Sequence, residues 1–143
     1  MKLVLAVAVD CSPGALAATR YALRLHREAG GAAALHLLNV QPTMTLAETL
    51  IAPRDLLAAH WGGAPGHAEM RESLEAAVAA GVEAHARILN GDPTEAILRV
   101  TAELQADLLL AGTRSLGAAR ELLIGSVARG LVQGASCPVI LAG

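Results

Sequence analysis

The chain has almost no lysine and almost no aromatic side chains. Lys2 is the single lysine among 11 basic residues, and the sequence has one Trp, one Tyr and no Phe. Because the P-loop motif G-x4-G-K-[ST] requires a lysine, a nucleotide site of that class is excluded. A phosphoacceptor receiver domain is excluded too, since it needs clustered acids after its first strand and a lysine late in the chain. The dinucleotide motif G-x-G-x-x-G is also missing.

Cysteines and long apolar runs are equally scarce. The two cysteines, Cys11 and Cys137, do not form a C-x-x-C pair, so neither a zinc site nor a redox motif is indicated. No apolar run approaches the roughly 18 residues of a membrane span. The apolar run Leu3–Val9 ends at Asp10 without a following cleavage site, so we interpret it as a buried strand and expect a cytoplasmic protein. The five histidines lack the spacing of metal ligands.

The composition is that of one globular domain, which we assign to residues 1–143. The chain is 54% hydrophobic and 17% charged, which is typical of a folded protein with a single core. Its net charge is −2 and it has no basic block, so binding to nucleic acid is disfavoured.

Apolar runs and helical patterns alternate along the chain. We predict strands at 3–9, 33–40, 82–89, 107–111 and 138–142, and helices at 13–28, 67–80, from 93 onward and at 126–133. This alternation indicates a parallel sheet with helices on both faces. Tyr21 is expected on the apolar stripe of the first helix. Ala86 belongs to the apolar side of an alternating strand, and such alternation indicates either one wet face or an edge position. The segment 43–66 is predicted to be a long binding loop or lid with a short helix within 46–60.

Glycines frame the loop between the fourth predicted strand and the last predicted helix. Gly112 ends the strand, and the pair Gly125-Ser126 begins the helix. Glycine lets the backbone approach a ligand closely, and a helix start offers unpaired N–H groups and a positive dipole end. This combination suits a phosphate group.

Six segments carry a resemblance to a known family. They are Val7-Ala8-Val9-Asp10, Val40-Gln41-Pro42, Gly91-Asp92-Pro93, the run from Asp107 to Arg114, the run from Leu122 to Ala128, and the run from Cys137 to Leu141. In this order they resemble the universal stress proteins over nearly the whole chain. The resemblance implies an α/β, Rossmann-like fold, a doubly wound parallel sheet of five strands in the order 3-2-1-4-5. That order places Asp10 and Gly112 at the switch point where open sheets bind ligands.

The resemblance also implies a nucleotide site. ATP-binding members carry G-x2-G-x9-G-[ST], which Gly112, Gly125 and Ser126 match, whereas Ser115 stands where the second glycine would be. Asp10 would then contact adenosine, and the Val40 backbone would face adenine. Gly112, Gly125 and Ser126 would hold the triphosphate of ATP with its Mg²⁺ through backbone N–H groups and a hydroxyl. The implied site consists of Val9, Asp10, Val40, Gly112, Arg114, Ser115, Gly125, Ser126 and Val127. ATP is not distinguished from ADP, AMP or a cyclic nucleotide.

Ser115 leaves two interpretations open. If its position requires a positive φ, serine costs about 1 kcal/mol or more relative to glycine. If the position requires only a small residue, the hydroxyl can donate to a phosphate. The alternative to nucleotide binding is therefore a dimeric interaction module of the same fold that binds no nucleotide.

Catalysis and assembly complete the expectations. The candidate nucleophiles and bases are Asp10, Cys11, Ser12 and Ser126, and no histidine is predicted beside them, so we expect a non-enzymatic protein with at most slow ATP hydrolysis. The last strand, Val139–Ala142, is short and uncharged and lies at a predicted sheet edge, which invites pairing. The resemblance implies a homodimer through this strand, and we expect a further protein partner that reads the nucleotide-bound state.

Overall fold

Strands and helices alternate throughout the computed structural model, which describes residues 2–10, 12–41, 67–113 and 124–143. The strands are β1 (Leu3–Ala8), β2 (Ala33–Gln41), β3 (Ala84–Asn90), β4 (Leu108–Gly112) and β5 (Val139–Ala142). The helices are α1 (Pro13–Glu28), α2 (His67–Ala79), α3 (Pro93–Glu103) and α4 (Ser126–Gly134). All the predicted strands and helices in these ranges are present. The short helix predicted within 46–60 lies outside the described residues.

The five strands form one parallel sheet in the order β3-β2-β1-β4-β5, which confirms the predicted topology. In the register of the sheet, Val7 of β1 is paired with Leu37 of β2 and with Leu110 of β4. The most apolar run of the chain is therefore the central strand, because a central strand of a parallel sheet is covered on both faces.

Alternate side chains of the sheet enter two separate cores. Leu5, Val7 and Leu35 pack on one face with buried residues of α1 and α2. Ala6 and Leu38 pack on the other face with buried residues of α3 and α4. The helices thus cover both faces, as expected for a doubly wound fold.

The buried face of α1 differs from the prediction. Tyr21 is 40% exposed, whereas Thr19 is fully buried. The Thr19 hydroxyl donates to the carbonyl oxygen of Ala15 at 3.0 Å and lies 2.8 Å from the Ser73 hydroxyl of α2. These bonds satisfy the buried hydroxyl, so the helix turns its small residues rather than its tyrosine toward the sheet.

The edge strand β3 is less covered than its alternating pattern predicted. Ala86 is exposed, while Ala84 and Ile88 on the same face are half-buried. On the opposite face His85 stacks on His36 of β2, with ring centroids 5.0 Å apart and planes inclined by 26°. The edge position was confirmed, but an edge strand has a neighbour on one side only and buries less of its inner face.

None of the helices in the described part of the chain is long and apolar enough to span a membrane.

Candidate functional site

A cavity of about 280 Å³ lies where β1, β2 and β4 end and α3 and α4 begin. Its volume is close to the lower limit of about 300 Å³ for small-molecule pockets. It is lined by Ala8, Val9, Asp10, Ser12, Ala15, Leu38, Asn39, Val40, Pro93, Ile97, Ala111, Gly112, Val127 and Leu131. Five of the nine predicted site residues are among them, namely Val9, Asp10, Val40, Gly112 and Val127.

The cavity is apolar on most of its described surface. Leu38, Ile97, Ala111 and Leu131 are buried side chains from the sheet and from the two helices that pack on this face. Such walls suit a flat apolar group, whereas orientation is set by the few polar residues of a pocket.

Asp10 is the charged residue among the described lining residues. Its Oδ1 accepts a hydrogen bond of 2.8 Å from the backbone N–H of Ser12. The Ser12 hydroxyl in turn accepts from the N–H of Ala15 at 3.2 Å and caps α1. The carboxylate is thereby held at the cavity, and as an ionised group it can accept further hydrogen bonds from ligand hydroxyls.

Asn39 was not predicted and forms part of the cavity lining. It is 2% exposed, and its Nδ2 donates to the carbonyl oxygen of Val9 at 2.8 Å. Its Oδ1 accepts from Nε2 of Gln41 at 2.7 Å. These bonds tie the end of β2 to the residue that follows β1. The signal in the sequence was a polar residue inside a mostly apolar strand, which points to a satisfied buried amide.

Gly112 has a packing reason to be glycine. A Cβ added there would lie 2.8 Å from the carbonyl carbon of Gly14 and 2.9 Å from the nitrogen of Ala15. Such distances are too short for a real side chain, so the first turn of α1 can rest on the end of β4 only if this residue is glycine. This close approach is independent of any ligand.

The start of α4 leaves backbone donors without intrahelical partners beside the cavity. Gly125 is the N-cap, and its carbonyl oxygen accepts the first helical bond, from Arg129 N–H at 3.0 Å. The N–H groups of Ser126, Val127 and Ala128 therefore lack intrahelical partners, which gives this end of the helix a partial positive charge. The Ser126 side chain is exposed.

The N–H of Gly125 itself is already engaged. It donates to the carbonyl oxygen of Thr113 at 2.7 Å, while Thr113 N–H donates to the carbonyl oxygen of Ala142 in β5. These bonds hold the helix start close to the end of β4. In this arrangement the N–H of Gly125 is therefore used to position the helix, and the donors that remain at the helix start are those of the residues after it.

The remaining predicted residues, Arg114 and Ser115, lie outside the described part of the chain, as do Cys11 and the segment 43–66. Cys137 is half-buried, and burial raises the pKa of its thiol, with a further contribution from the Asp107 carboxylate. Neither it nor any histidine is among the described lining residues. Within the described ranges, no three His, Cys, Asp or Glu side chains form a group that could hold a metal ion.

Comparison with known proteins connects this site to a family. A model described as "Universal stress protein family" matches residues 4–142. A universal stress protein of Thermus aquaticus is 46% identical over 56 residues, which are 39% of this chain and 41% of that protein. The alignment thus spans less than half the length of that curated relative.

Two solved structures have a similar fold over nearly the full chain. A universal stress protein in complex with cAMP is 25% identical, with a TM-score of 0.73, and the match covers 99% of this chain and 97% of that one. A universal stress protein family member from Arabidopsis thaliana with AMP bound is 22% identical, with a TM-score of 0.70 and coverage of 98% and 90%. Together with the family match, the topology shows that this chain belongs to the universal stress protein family.

Proposed function

We propose that this protein binds an adenine nucleotide, with ATP and its Mg²⁺ as the expected ligand, at the switch point between β1 and β4. The observation that carries the proposal is the cavity itself. It combines apolar walls, the carboxylate of Asp10 and a helix start. It lies at the C-terminal ends of the strands, where open α/β folds bind ligands.

The adenosine part fits the described lining. Leu38, Ile97 and Leu131 provide apolar surface for the base, and the backbone of Val40 supplies polar groups at the rim. Asp10 provides the acceptor for a ribose hydroxyl, because its carboxylate has acceptor capacity beyond the one bond it makes to Ser12 N–H.

The phosphates fit the start of α4. The N–H groups of Ser126 and Val127 and the exposed Ser126 hydroxyl are donors, and a helix N-terminus attracts anions. Arg114 and Ser115 remain proposed phosphate contacts on the basis of the sequence alone. Since Asp10 is the acidic residue among the described lining residues, we expect Mg²⁺ to be held mainly by phosphate oxygens.

The relative solved in complex with cAMP supports an adenine nucleotide as the ligand class. It does not favour ATP over a monophosphate, and the departure at Ser115 affects only the phosphate end. ATP, ADP, AMP and cAMP are therefore compared in one experiment.

The test is calorimetric titration of nucleotide-stripped protein with each of these nucleotides, using Mg²⁺ for ATP and ADP. Val127→Glu places a negative charge at the proposed phosphate site, whereas Val132→Glu makes the same change at an exposed position of the same helix. Micromolar binding that is lost in the first variant and kept in the second supports the proposal. If the wild-type protein binds none of them up to millimolar concentration, the proposal is wrong and the protein is an interaction module.

The same proposal includes assembly and regulation. β5 lies at the sheet edge, where the backbone groups on its outer side have no strand partner among the described residues, and its residues Val139–Ala142 are uncharged. We propose a two-fold homodimer formed by β5 and a regulatory, non-enzymatic role in which a protein partner reads the nucleotide-bound state. The cytoplasmic location stays a prediction.

A further inference from the structure

A groove of about 510 Å³ lies at the opposite end of the molecule from the nucleotide cavity. It is bounded by the C-terminal half of α1 and by the residues between α2 and β3. Its lining residues are Arg20, Leu23, Arg24, His26, Arg27, Gly30, Gly31, Ala80, Gly81 and Val82. The groove therefore lies at the N-terminal ends of β2 and β3, whereas the nucleotide cavity lies at the C-terminal ends of the strands.

Three arginines form one wall of this groove. Arg20, Arg24 and Arg27 are all exposed and follow one another at i, i+4 and i+7, so they share one face of α1. None of the three has a carboxylate within ion-pair distance in the described part of the chain, where the two pairs are Arg71–Glu75 and Arg99–Glu103.

Acidic residues are also missing from the described lining. Glu28 follows the arginine stripe along α1, and Glu83 follows Val82, but neither lines the groove. The wall thus concentrates three of the 11 basic residues of a chain whose net charge is −2. Guanidinium groups at such spacing are suited to several carboxylates rather than to one.

Glycines form the turns at the floor of the groove, so no side chains project from those turns. Gly30 and Gly81 have φ values of +67° and +69°, and a Cβ added at either would meet no atom within 4 Å. Leu23 and Val82 supply apolar surface between them. The backbone of a bound segment can therefore come close to the floor while its side chains reach both walls.

His26 is fixed at the end of the groove. Its Nδ1 lies 2.8 Å from the carbonyl oxygen of Ala33, and because a carbonyl only accepts, Nδ1 carries the hydrogen of this bond. The other nitrogen, Nε2, lies 3.8 Å from a Cβ built on Gly31, which also lines the groove. The ring orientation is therefore set by the fold and leaves Nε2 beside the groove.

We propose that this groove binds an extended acidic segment of a partner protein, in which Asp or Glu alternates with small or apolar residues. Residues four apart on a helix are separated by about 6 Å along its axis. Side chains two apart in an extended segment are separated by about 6.6 Å. Alternate carboxylates therefore match Arg20 and Arg24, while the intervening side chains face Ala80 across the groove.

The proposal is independent of nucleotide binding, since the two sites lie at opposite ends of the strands. The test uses fluorescence anisotropy with a labelled short peptide in which Glu alternates with Thr, added to the full chain. A second peptide has the same composition with its Glu residues in one block. We expect micromolar binding of the alternating peptide and affinity at least about tenfold weaker for the block peptide.

Matched variants locate the site. Arg20→Gln with Arg24→Gln should weaken binding of the alternating peptide at least about tenfold, because two charge-assisted contacts are lost. Arg99→Gln removes one exposed arginine on α3, 62% accessible, and should leave the affinity within about twofold. Circular dichroism of all variants checks that they are folded.

Three results would overturn the proposal. Equal binding of the two peptides means attraction by net charge alone. Unchanged affinity in the double arginine variant places the peptide elsewhere. Full displacement of the peptide by millimolar inorganic phosphate means that the groove is a small-anion site and not a peptide site.

Discussion

The backbone of Gly14, in the first turn of α1, lies directly against the backbone of Gly112 at the end of β4. A Cβ added to Gly14 would lie 3.1 Å from the Cα of Gly112, and one added to Gly112 would lie 2.8 Å from the carbonyl carbon of Gly14. This contact sets the start of α1 against the strand beside β1. It thereby holds Ser12 and Asp10 at the cavity.

Substitution of Gly112 tests this contact. In Gly112→Ala the new methyl group meets backbone atoms that can move only if α1 shifts away from β4. We expect the free energy of unfolding to fall by about 2 kcal/mol, as for other overpacked sites. We also expect weaker nucleotide binding.

The matched control for this substitution is Gly134→Ala in the last turn of α4. There an added Cβ would meet the Cδ1 atom of Leu98, the end of a flexible side chain. Its effect on the free energy of unfolding should stay within about 1 kcal/mol. Urea unfolding of the two variants measures the difference, and equal losses would contradict the backbone contact.

Asn39 is predicted to be a stabilising residue of the cavity. Replacing it by leucine removes the donor to the buried Val9 carbonyl, which is left unsatisfied, and the acceptor for the half-buried Gln41 side chain. We expect a loss of about 1–3 kcal/mol in the free energy of unfolding. Asn90→Ala, at an exposed asparagine ending β3, should change it by less than about 0.5 kcal/mol. If the two variants are equally stable, the buried amide bonds contribute nothing.

His36 makes stability depend on pH. Burial lowers its pKa, and the nearby His85 and Arg87 lower it further. The unfolded chain, with an ordinary imidazole pKa of about 6.5, therefore binds more protons than the folded one near that pH. The contribution of His36 to the free energy of unfolding is therefore fully present above about pH 6.5, and it is lost as the pH falls below that value.

His36→Leu should remove this dependence. The Nδ1 of His36 is buried and has no hydrogen-bond partner among the described residues, so the replacement deletes an unsatisfied polar nitrogen as well as a titrating group. We expect a smaller loss of stability than in the wild type between about pH 8 and about pH 5. Urea unfolding across this range measures it, and an unchanged slope would assign the dependence to other groups.

The proposed dimer is tested at Ile140. Ile140→Glu places a charge in the edge strand β5, and two such charges would face each other across a two-fold interface. We expect sedimentation at micromolar concentration to show dimers for the wild type and monomers for this variant. Val78→Glu, at a position on α2 that is 77% exposed, should remain dimeric. A monomeric wild-type protein would contradict the proposal outright.

The predictions from sequence were correct where neighbours along the chain decide the structure. The helix predicted from residue 93 onward begins at Pro93, and Asp92, directly before it, caps it by accepting from Glu95 N–H at 3.0 Å. The prediction that Tyr21 lies on the buried stripe was wrong, and Ala86 is less covered than its pattern indicated. Hydrophobic periodicity predicts which side chains share a face, but it does not predict how much of that face other elements cover. Asn39 was missed because its partner Val9 lies 30 residues away.

The sequence by itself determined the alternation of strands and helices, the helix caps and, through its resemblance to a family, the order of the strands. The alternation and the caps depend on hydrophobic periodicity and on contacts within one turn, which are local along the chain. Only the tertiary structure decided that Gly14 meets Gly112, that Asn39 lines the cavity and that the arginines of α1 face the turn after α2. The physical reason is that parallel strands are joined by crossovers, so the residues of each site come from distant segments.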